Sequence, residues 1–316
     1  MNIGQQMQAL YSRFGDIDEV TIELHKELLA INIHNRAAEA TVFLQGAQLS
    51  QYQPHKQPPV IWLSPECEYK VGSPLRGGIP ICWPWFGALD KNLELIQQQV
   101  SSNIEQSHGF VRTLEWDIDY IKAISLDETE LQMSLTLDAS DLWPFACQLV
   151  LKFTIGDRLT LCFEVQNNDR KPFCFTSALH SYFAIGDIGK AKVNGLDNKP
   201  FIDTLNDWEV FTQQGDITID REIDRIYEVK GEDIQIVDGE WQRQISIVSK
   251  NSANAIVWNP WVDKSKRLSH FRDSDFKHML CVESANVGSD NILLEPNERH
   301  IQILEIMSKP LPIKST

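Results

Sequence analysis

The segment 76–87 combines a cation, a flexible backbone and several aromatic side chains, and it reads RGGIPICWPWFG. Aromatic faces can stack on sugar rings, and the guanidinium of Arg76 can donate two parallel hydrogen bonds to an anion. The two glycines allow the main chain to approach a ligand or to leave a strand in a tight turn. Taken alone, the segment is more typical of a Gly-Pro turn whose tryptophans fill the core.

Two histidines and a second arginine add groups that can transfer or attract protons. His108 and Arg112 lie four residues apart in the segment HGFVR, so both can face one cavity. His180 lies between apolar residues in ALHSYF (178–183), where burial lowers the pKa of a histidine unless a carboxylate compensates. Each histidine alone is more typical of a loop or core residue with satisfied hydrogen bonds.

Two carboxylates complete the set of candidate groups. Asp224 lies in DREIDRIY (220–227), a charge run whose isoleucines predict a strand or turn with one buried side. Asp224 is therefore a candidate acceptor for sugar hydroxyls. Glu283 follows a short apolar strand in CVESANV (281–287), and aromatic neighbours would raise its pKa toward that of a general base. An ordinary carboxylate at a strand end explains Glu283 equally well when it is considered alone.

Several other kinds of site are not supported by any motif. The sequence contains no G-x-S-x-G elbow, no Walker loop and no G-x-G-x-x-G fingerprint. It also has no H-x-H or H-E-x-x-H pair that would indicate a metal site. The remaining inventory predicts acid/base chemistry on a sugar without a cofactor or a metal.

Composition and charge limit the possible partners. The net charge of −15 argues against a broad surface for nucleic acid or membrane. It still allows a small anionic substrate, because an arginine about 4 Å from a phosphate gains roughly 4 kcal/mol at an effective dielectric near 20. Six cysteines without C-x-x-C pairs favour reduced thiols, and we expect a cytoplasmic protein without a signal peptide or a membrane span.

The periodicity of apolar residues predicts the elements that position these groups. A short helix is expected within 1–15, and a period of two follows it, as at Leu131, Met133, Leu135 and Leu137. Similar alternation predicts strands at 20–24, 40–44, 149–155, 159–165, 245–247 and 301–303. The expected fold is all-β, a large antiparallel sandwich or barrel that forms one domain over 1–316. The polar stretch 89–107 is expected to be a loop over or beside the site.

The order of these motifs resembles that of the hexose-6-phosphate mutarotases, or glucose-6-phosphate 1-epimerases, of the aldose 1-epimerase superfamily. The matching segments are 76–87, 108–112, 180–183, 224–227, 258–261 and 283–287. The resemblance implies a galactose mutarotase-like β-supersandwich, no cofactor, and interconversion of the α and β anomers of a hexose 6-phosphate, foremost glucose 6-phosphate. We also expect a monomer whose partner is this small sugar phosphate.

The resemblance also implies roles for the reacting pair. His180 matches the general acid and Glu283 the general base of ring opening and closing. We expect the carboxylates of Glu283 and Asp224 to keep the pKa of His180 high enough for it to start as the acid.

Five further residues match positions of the family that touch the substrate. Arg76 and Arg112 match contacts to phosphate and sugar, and Asp224 matches a hydrogen-bonding partner of ring hydroxyls. His108 matches an auxiliary residue near the ring, and Ser107 stands where some relatives have a residue that touches substrate.

Two departures from the family pattern bear on substrate preference. Ser284 and Ala285 stand where Pro-Gly is usual, so the turn that aims Glu283 is expected to be more flexible, and Ile223 replaces a common Thr. Two other functions remain open, an aldose 1-epimerase for free hexoses and a non-catalytic carbohydrate-binding protein.

Overall fold

A computed structural model describes residues 2–100 and 104–312, which form a mostly antiparallel β structure with a few short helices. The α-helices are α1 (Ile3–Phe14), α2 (Glu94–Gln99) and α3 (Trp261–Ser265). Single turns of 3₁₀ helix occur at Leu89–Lys91, Val111–Thr113, Ile188–Lys190, Asp275–Lys277 and Gly288–Asp290. The strands are β1 (Val20–His25), β2 (Leu28–His34), β3 (Ala38–Phe43), β4 (Gln48–Pro54), β5 (Ile81–Cys82), β6 (Asp117–Ser125), β7 (Glu128–Leu137), β8 (Cys147–Ile155), β9 (Arg158–Asn167), β10 (Phe173–Phe175), β11 (Ser177–Leu179), β12 (Tyr182–Ala184), β13 (Ala191–Asn194), β14 (Pro200–Asp203), β15 (Glu209–Thr212), β16 (Ile217–Thr218), β17 (Ile223–Glu228), β18 (Asp233–Asp238), β19 (Arg243–Lys250), β20 (Asn254–Asn259), β21 (Met279–Asn286), β22 (Ile292–Leu294) and β23 (Arg299–Pro310).

Helix α1 begins with a capping box and confirms the helix that the sequence predicts within 1–15, although Met1 lies outside the described residues. The side chain of Asn2 accepts from the backbone N–H of Gln5 at 2.9 Å, and the Gln5 side chain accepts from the backbone N–H of Asn2 at 3.2 Å. Both bonds satisfy amides at the helix start that have no partner within the helix. Leu10 and Phe14 anchor the helix to the core.

Two large antiparallel sheets dominate the structure and confirm the predicted all-β fold. The nine-stranded sheet has the order β16-β13-β18-β19-β23-β9-β8-β7-β6. The eight-stranded sheet has the order β15-β14-β17-β20-β21-β11-β5, with β12 paired to β21. Strands β1 to β4 form a four-stranded sheet, and β10 pairs with β22.

The predicted alternation along the strands follows from burial of one face. Residues of β8 and β9 alternate between buried and half-buried positions, and the backbone N–H of Gly156 donates to the carbonyl of Arg158 in the turn between them. Buried residues from all four sheets belong to one hydrophobic cluster. Strands β20 and β21 are buried at every residue, so their polar side chains are shielded from bulk water on either face.

The structure corrects one expected loop. The stretch 89–107 contains α2, which the sequence does not reveal because Ile96 is its only buried residue and no apolar period develops. Residues 101–103 of this stretch lie outside the described residues. Over the described ranges, no helix has both the length and the apolar character needed to cross a membrane.

Candidate active site

A cavity of about 910 Å³ opens on the eight-stranded sheet, and all seven candidate residues of the sequence line it. These residues are Arg76, Ser107, His108, Arg112, His180, Asp224 and Glu283. They come from five separate segments of the chain, so their meeting in one cavity is not a consequence of closeness in sequence.

Neighbouring strands of this sheet place the two carboxylates. Glu283 lies in the middle of β21 opposite Ile256 of β20, and not at a strand end as the sequence suggested. Asp224 lies on β17 opposite Trp258 of β20. His180 lies between β11 and β12, and its backbone N–H donates to the carbonyl of Pro80 at 3.1 Å. His180 is thereby held between two strands that both pair with β21.

The segment 76–87 has a different role from the aromatic wall that its tryptophans suggested. Trp83 and Trp85 are fully buried in the core, whereas Phe86 lines the cavity. Gly78 has a φ of +72°, and a Cβ there would lie 2.5 Å from the carbonyl oxygen of Leu49. The glycines therefore permit close packing against neighbouring backbone, and the segment delivers Arg76 and Phe86 to the cavity.

His180 and Glu283 form a buried acid/base pair. Nδ1 of His180 lies 3.3 Å from Oε1 of Glu283, and the two residues are 7% and 2% exposed. The contact is not aligned as a hydrogen bond, and neither His180 Nδ1 nor Glu283 Oε2 has a hydrogen-bond partner among the described residues. Two reactive polar atoms are thus shielded from bulk water and left free for a ligand.

Burial moves both groups of this pair toward their neutral forms. It raises the pKa of Glu283 well above its usual value, and the nearby Asp224 carboxylate adds to the rise. Burial also lowers the pKa of His180 well below its usual value, and His108, Arg112 and Arg76 lower it further. The expectation that carboxylates keep His180 protonated is therefore wrong, because the surroundings of the pair favour a neutral carboxylic acid beside a neutral imidazole.

His108 has a defined tautomer because of its contact with the backbone. Burial, Arg112 and Arg76 lower the pKa of His108 to about 3, so the ring is neutral at physiological pH. Its Nδ1 accepts from the backbone N–H of Gly87 at 3.2 Å. The single ring proton must then be on Nε2, which makes that nitrogen a hydrogen-bond donor. The ring packs edge-on against His180, with 5.4 Å between centroids.

Arg76 and Arg112 supply positive charge that the protein does not neutralise. Nε of each side chain is buried without a hydrogen-bond partner, and within 2–100 and 104–312 neither guanidinium forms an ion pair with a carboxylate. A terminal nitrogen of Arg112 donates to the carbonyl of Ser107 at 2.8 Å, which fixes its direction. Two half-buried cations beside one cavity, without acidic partners, indicate a site for an anionic ligand.

Asp224 lines the cavity beside its cross-strand neighbour Trp258. It is half-buried, and burial raises its pKa to about 6. At neutral pH it is mostly ionised and can accept hydrogen bonds from hydroxyls.

Aromatic residues hold the histidine ring, and the sequence motifs contain them without indicating this task. Tyr182 stacks on His180 with 4.7 Å between ring centroids and an interplanar angle of 7°. Trp258 meets the same ring edge-on at 6.3 Å. The sequence signals for this task are the position of Tyr182, two residues after His180, and the position of Trp258 in the segment VWNPW (257–261). Trp208 and Lys264 also line the cavity, and no sequence signal pointed to them.

The two departures from the family pattern leave the position of Glu283 unchanged. Residues 284–286 continue β21 and are buried, so the expected flexible turn after Glu283 is absent from this part of the described chain. The hydroxyl of Ser284 lies 2.9 Å from that of Ser252 and accepts from Gln302 at 2.8 Å. Ile223 is buried at the start of β17. Hydrogen bonds of Ser284 thus hold the strand where the sequence suggested mobility.

An antiparallel β-sandwich with a buried acid/base pair at the floor of an open cavity defines a mutarotase-like protein. The family model described as Aldose 1-epimerase matches residues 30–306, and the chain belongs to that family. A protein of Cenchrus ciliaris named "Putative glucose-6-phosphate 1-epimerase" is 32% identical over 92% of this chain and 86% of its own. A protein of Salmonella typhimurium with the same name is 34% identical over 82% of this chain and 83% of its own.

Solved structures agree with this assignment. The crystal structure of a "putative mutarotase" from Salmonella typhimurium is 27% identical and has a TM-score of 0.84, covering 96% of this chain and 99% of that chain. A galactose mutarotase-like protein from Clostridium acetobutylicum shares the fold, with a TM-score of 0.75 at 15% identity over 92% of this chain and 98% of its own.

Proposed function

We propose that this protein interconverts the α and β anomers of a hexose 6-phosphate, with glucose 6-phosphate as the first candidate. The observation that carries the proposal is the buried His180–Glu283 pair in a cavity that also contains two arginines without acidic partners. The names of the relatives from Cenchrus ciliaris and Salmonella typhimurium support this substrate and this reaction.

Ring opening requires two proton transfers that a base and an acid can perform together. A base removes the proton from the anomeric hydroxyl, the C1–O5 bond breaks as the aldehyde forms, and an acid protonates O5. We assign the base to Glu283 and the acid to His180. Rotation about C1–C2 followed by the reverse transfers gives the other anomer, and no cofactor is consumed.

The neutral form of the pair fits this scheme. A neutral carboxylic acid beside a neutral imidazole holds as many protons as a carboxylate beside an imidazolium. It is also the state that remains after Glu283 has taken a proton and His180 has given one. The protein environment therefore favours the proton arrangement of the open-chain intermediate over that of the closed ring.

The remaining candidates provide binding. Arg76 and Arg112 hold the phosphate and adjacent sugar oxygens, and Asp224 accepts from ring hydroxyls. The Nε2–H of His108 donates to an oxygen near the anomeric centre, and Ser107 orients Arg112 through its carbonyl. Phe86 and Trp258 provide apolar walls for the ring faces.

Anomer exchange measured by NMR magnetisation transfer tests the proposal. Glucose 6-phosphate, glucose and galactose are compared with and without the protein at equal concentration. We expect faster exchange for glucose 6-phosphate only. Acceleration of the free sugars to the same degree would assign an aldose 1-epimerase for free hexoses. Binding without acceleration of any sugar would assign a carbohydrate-binding protein.

We also propose a cytoplasmic protein that works as a monomer on this small substrate, without nucleic acid or membrane as a partner. All six cysteines are unpaired, which is typical of a reducing compartment.

A further inference from the structure

Cys281 lies beside the acid/base pair and has no part in the proposed reaction. It is two residues before Glu283 on β21, and residues two apart on a strand point to the same face. Its side chain is completely buried and is not among the residues that line the cavity. The thiol thus lies on the same face of β21 as Glu283 but outside the wall of the cavity.

The three side chains bring together three different metal-binding atoms. A ring nitrogen of His180, the Sγ of Cys281 and a carboxylate oxygen of Glu283 all lie within 4.8 Å of one another. Two ligands of a tetrahedral zinc ion lie roughly 3.3–3.8 Å apart, given bonds of about 2.0–2.3 Å. The 3.3 Å contact between Nδ1 of His180 and Oε1 of Glu283 already has this spacing. The sulfur lies within 4.8 Å of both atoms, so a shared coordination shell requires side-chain rotation.

Two further observations point to a ligand at this position. His180 Nδ1 and Glu283 Oε2 are buried without hydrogen-bond partners, so a cation would satisfy polar atoms that the described residues leave unpaired. Because His180 and Glu283 line the cavity, an ion can reach them from solvent, and water from the cavity can supply the fourth ligand.

We propose that His180, Cys281 and Glu283 bind one soft divalent cation, Zn²⁺ or Cd²⁺, and that this ion blocks the acid/base pair. The inhibitory consequence rests on the proposed function, whereas the binding itself does not. The thiol loses its proton as the metal–sulfur bond forms. Thiolate and imidazole favour Zn²⁺ and Cd²⁺, whereas Mg²⁺ and Ca²⁺ prefer oxygen ligands, so these harder ions bind far more weakly.

Binding is tested first without any enzyme assay. The full chain is titrated with CdCl₂, and the ultraviolet absorption of a cadmium–thiolate bond is recorded. We expect one thiolate band per chain for the unmodified protein. Cys281→Ser should lose this band, and Cys147→Ser should keep it, because Cys147 is an equally buried thiol on β8 in the other large sheet. Cys281→Ala serves as a second variant if the serine hydroxyl disturbs the core.

Inhibition is tested on the same proteins by anomer exchange of glucose 6-phosphate. We expect Zn²⁺ to stop exchange in the unmodified protein and in Cys147→Ser, and a chelator to restore it. Cys281→Ser should retain basal exchange and require at least about 10-fold more Zn²⁺ for half-inhibition, in line with the usual effect of losing a metal contact. Excess glucose 6-phosphate should raise the Zn²⁺ concentration needed, because it competes for the same pair.

The two proposals fail in different ways. A cadmium–thiolate band that persists in both Cys281 variants, or equal sensitivity of all variants to Zn²⁺, would overturn the metal site. A cadmium band that depends on Cys281, in a protein that accelerates no sugar, would support the metal site and reject the proposed function.

Discussion

Burial of His180 and Glu283 determines which protonation state the pair prefers. The two groups are 7% and 2% exposed, so each avoids its charged form unless the other compensates at close range. Their 3.3 Å contact is not aligned as a hydrogen bond, so in the proposed reaction a proton passes between the two groups by way of the sugar. Substitution of either residue therefore removes one of the two proton-transferring groups and leaves the other without its partner.

Glu283→Gln should lower the rate of anomer exchange by roughly 10²–10⁴-fold, because a positioned acid/base group contributes about that much. Binding of glucose 6-phosphate, measured by isothermal titration calorimetry, should change little because the amide preserves the shape of the side chain. Glu295→Gln, at an exposed position, is the matched control. Near-normal exchange in Glu283→Gln would contradict the assignment.

Arg112→Ala should raise KM for the sugar phosphate by about 10–100-fold, because hydrogen bonds to charged groups contribute roughly 1.5–3 kcal/mol. Free glucose, tested at high concentration, should bind about as before. Arg112→Lys should recover part of the loss, since it restores charge without the planar fork. An equal rise in KM for glucose 6-phosphate and for free glucose would show that Arg112 does not recognise the phosphate.

The carboxyl of Asp224 should make stability depend on pH between about 4 and 6. Its folded pKa of about 6 lies above the ordinary 3.8, so its contribution is fully present below about pH 4 and is lost as pH rises through 6. The ionised carboxyl then costs up to about 3 kcal/mol at pH 7.

Asp224→Asn removes this dependence. The difference in free energy of unfolding, variant minus unmodified protein, should therefore be up to about 3 kcal/mol more positive at pH 7 than at pH 4. Urea unfolding at both pH values measures the difference. Asp273→Asn, at an exposed position, is the control. Parallel pH curves for Asp224→Asn and the unmodified protein would refute the shift.

At the scale of elements, contacts between backbone segments position His108, which lies in a loop and not on a strand. His108 and Gly109 both have positive φ values, and Gly109 forms an isolated bridge with Trp83. The N–H of His108 donates to the carbonyl of Gly87 at 2.8 Å, and the N–H of Phe110 donates to that of Trp83 at 3.1 Å. The loop at 108 is thereby fixed to the segment 76–87, and His108 is fixed with it.

Gly109→Ala should destabilise the protein by more than about 3 kcal/mol or prevent folding, because a Cβ there would lie 1.8 Å from the carbonyl oxygen of Trp83. Gly72→Ala is the matched control, since Gly72 also has a positive φ, of +77°, but no atom lies within 4 Å of its added Cβ. That variant should lose only about 1–2 kcal/mol, the usual cost of the left-handed region. Equal losses in urea unfolding would show that contact with Trp83 does not decide the effect.

The elements also show why part of this structure could be predicted from sequence. Strands such as β7, β8 and β9 can be predicted because one face is buried and the other is not, which gives an alternating apolar pattern in the sequence. Helix α2 has a single buried residue and leaves no such pattern.

The candidate site shows the same limit of prediction. Residue type and spacing single out six of the seven candidates that line the cavity, and the family resemblance adds Ser107, but the neutral state of the pair depends on packing between strands. The segment 76–87 taken alone predicts tryptophans in the core, as found for Trp83 and Trp85, but it does not single out Phe86 as the ring that lines the cavity.

At the scale of the whole molecule, the sheets share one large hydrophobic cluster that runs from Leu10 to Ile306, next to a small second cluster around Phe43. The chain carries a net charge of −15, whereas the cavity is lined by the cations Arg76, Arg112, Lys91 and Lys264 as well as by carboxylates. Salt screens exposed charges beyond roughly 8 Å, so the distant acidic surface and the cavity act largely independently.

A shared core predicts that residues 1–316 form one domain and unfold in one cooperative transition. Differential scanning calorimetry should give a single peak whose calorimetric and van't Hoff enthalpies agree. Unfolding monitored by tryptophan fluorescence and by far-ultraviolet circular dichroism should have the same midpoint. Two separated transitions would divide the chain into domains.

Strand order has a consequence for how this protein acquires its activity. Strand β5 follows Arg76 in the chain and pairs with β11, and β11 pairs with β21, which carries Glu283. The groups that meet in the cavity therefore belong to opposite ends of the chain, and contacts between distant residues form slowly because long loops must close first. Local hairpins such as β8–β9 have no such delay. We therefore expect the site to form late in folding, so that recovery of enzymatic activity should lag behind formation of the local hairpins.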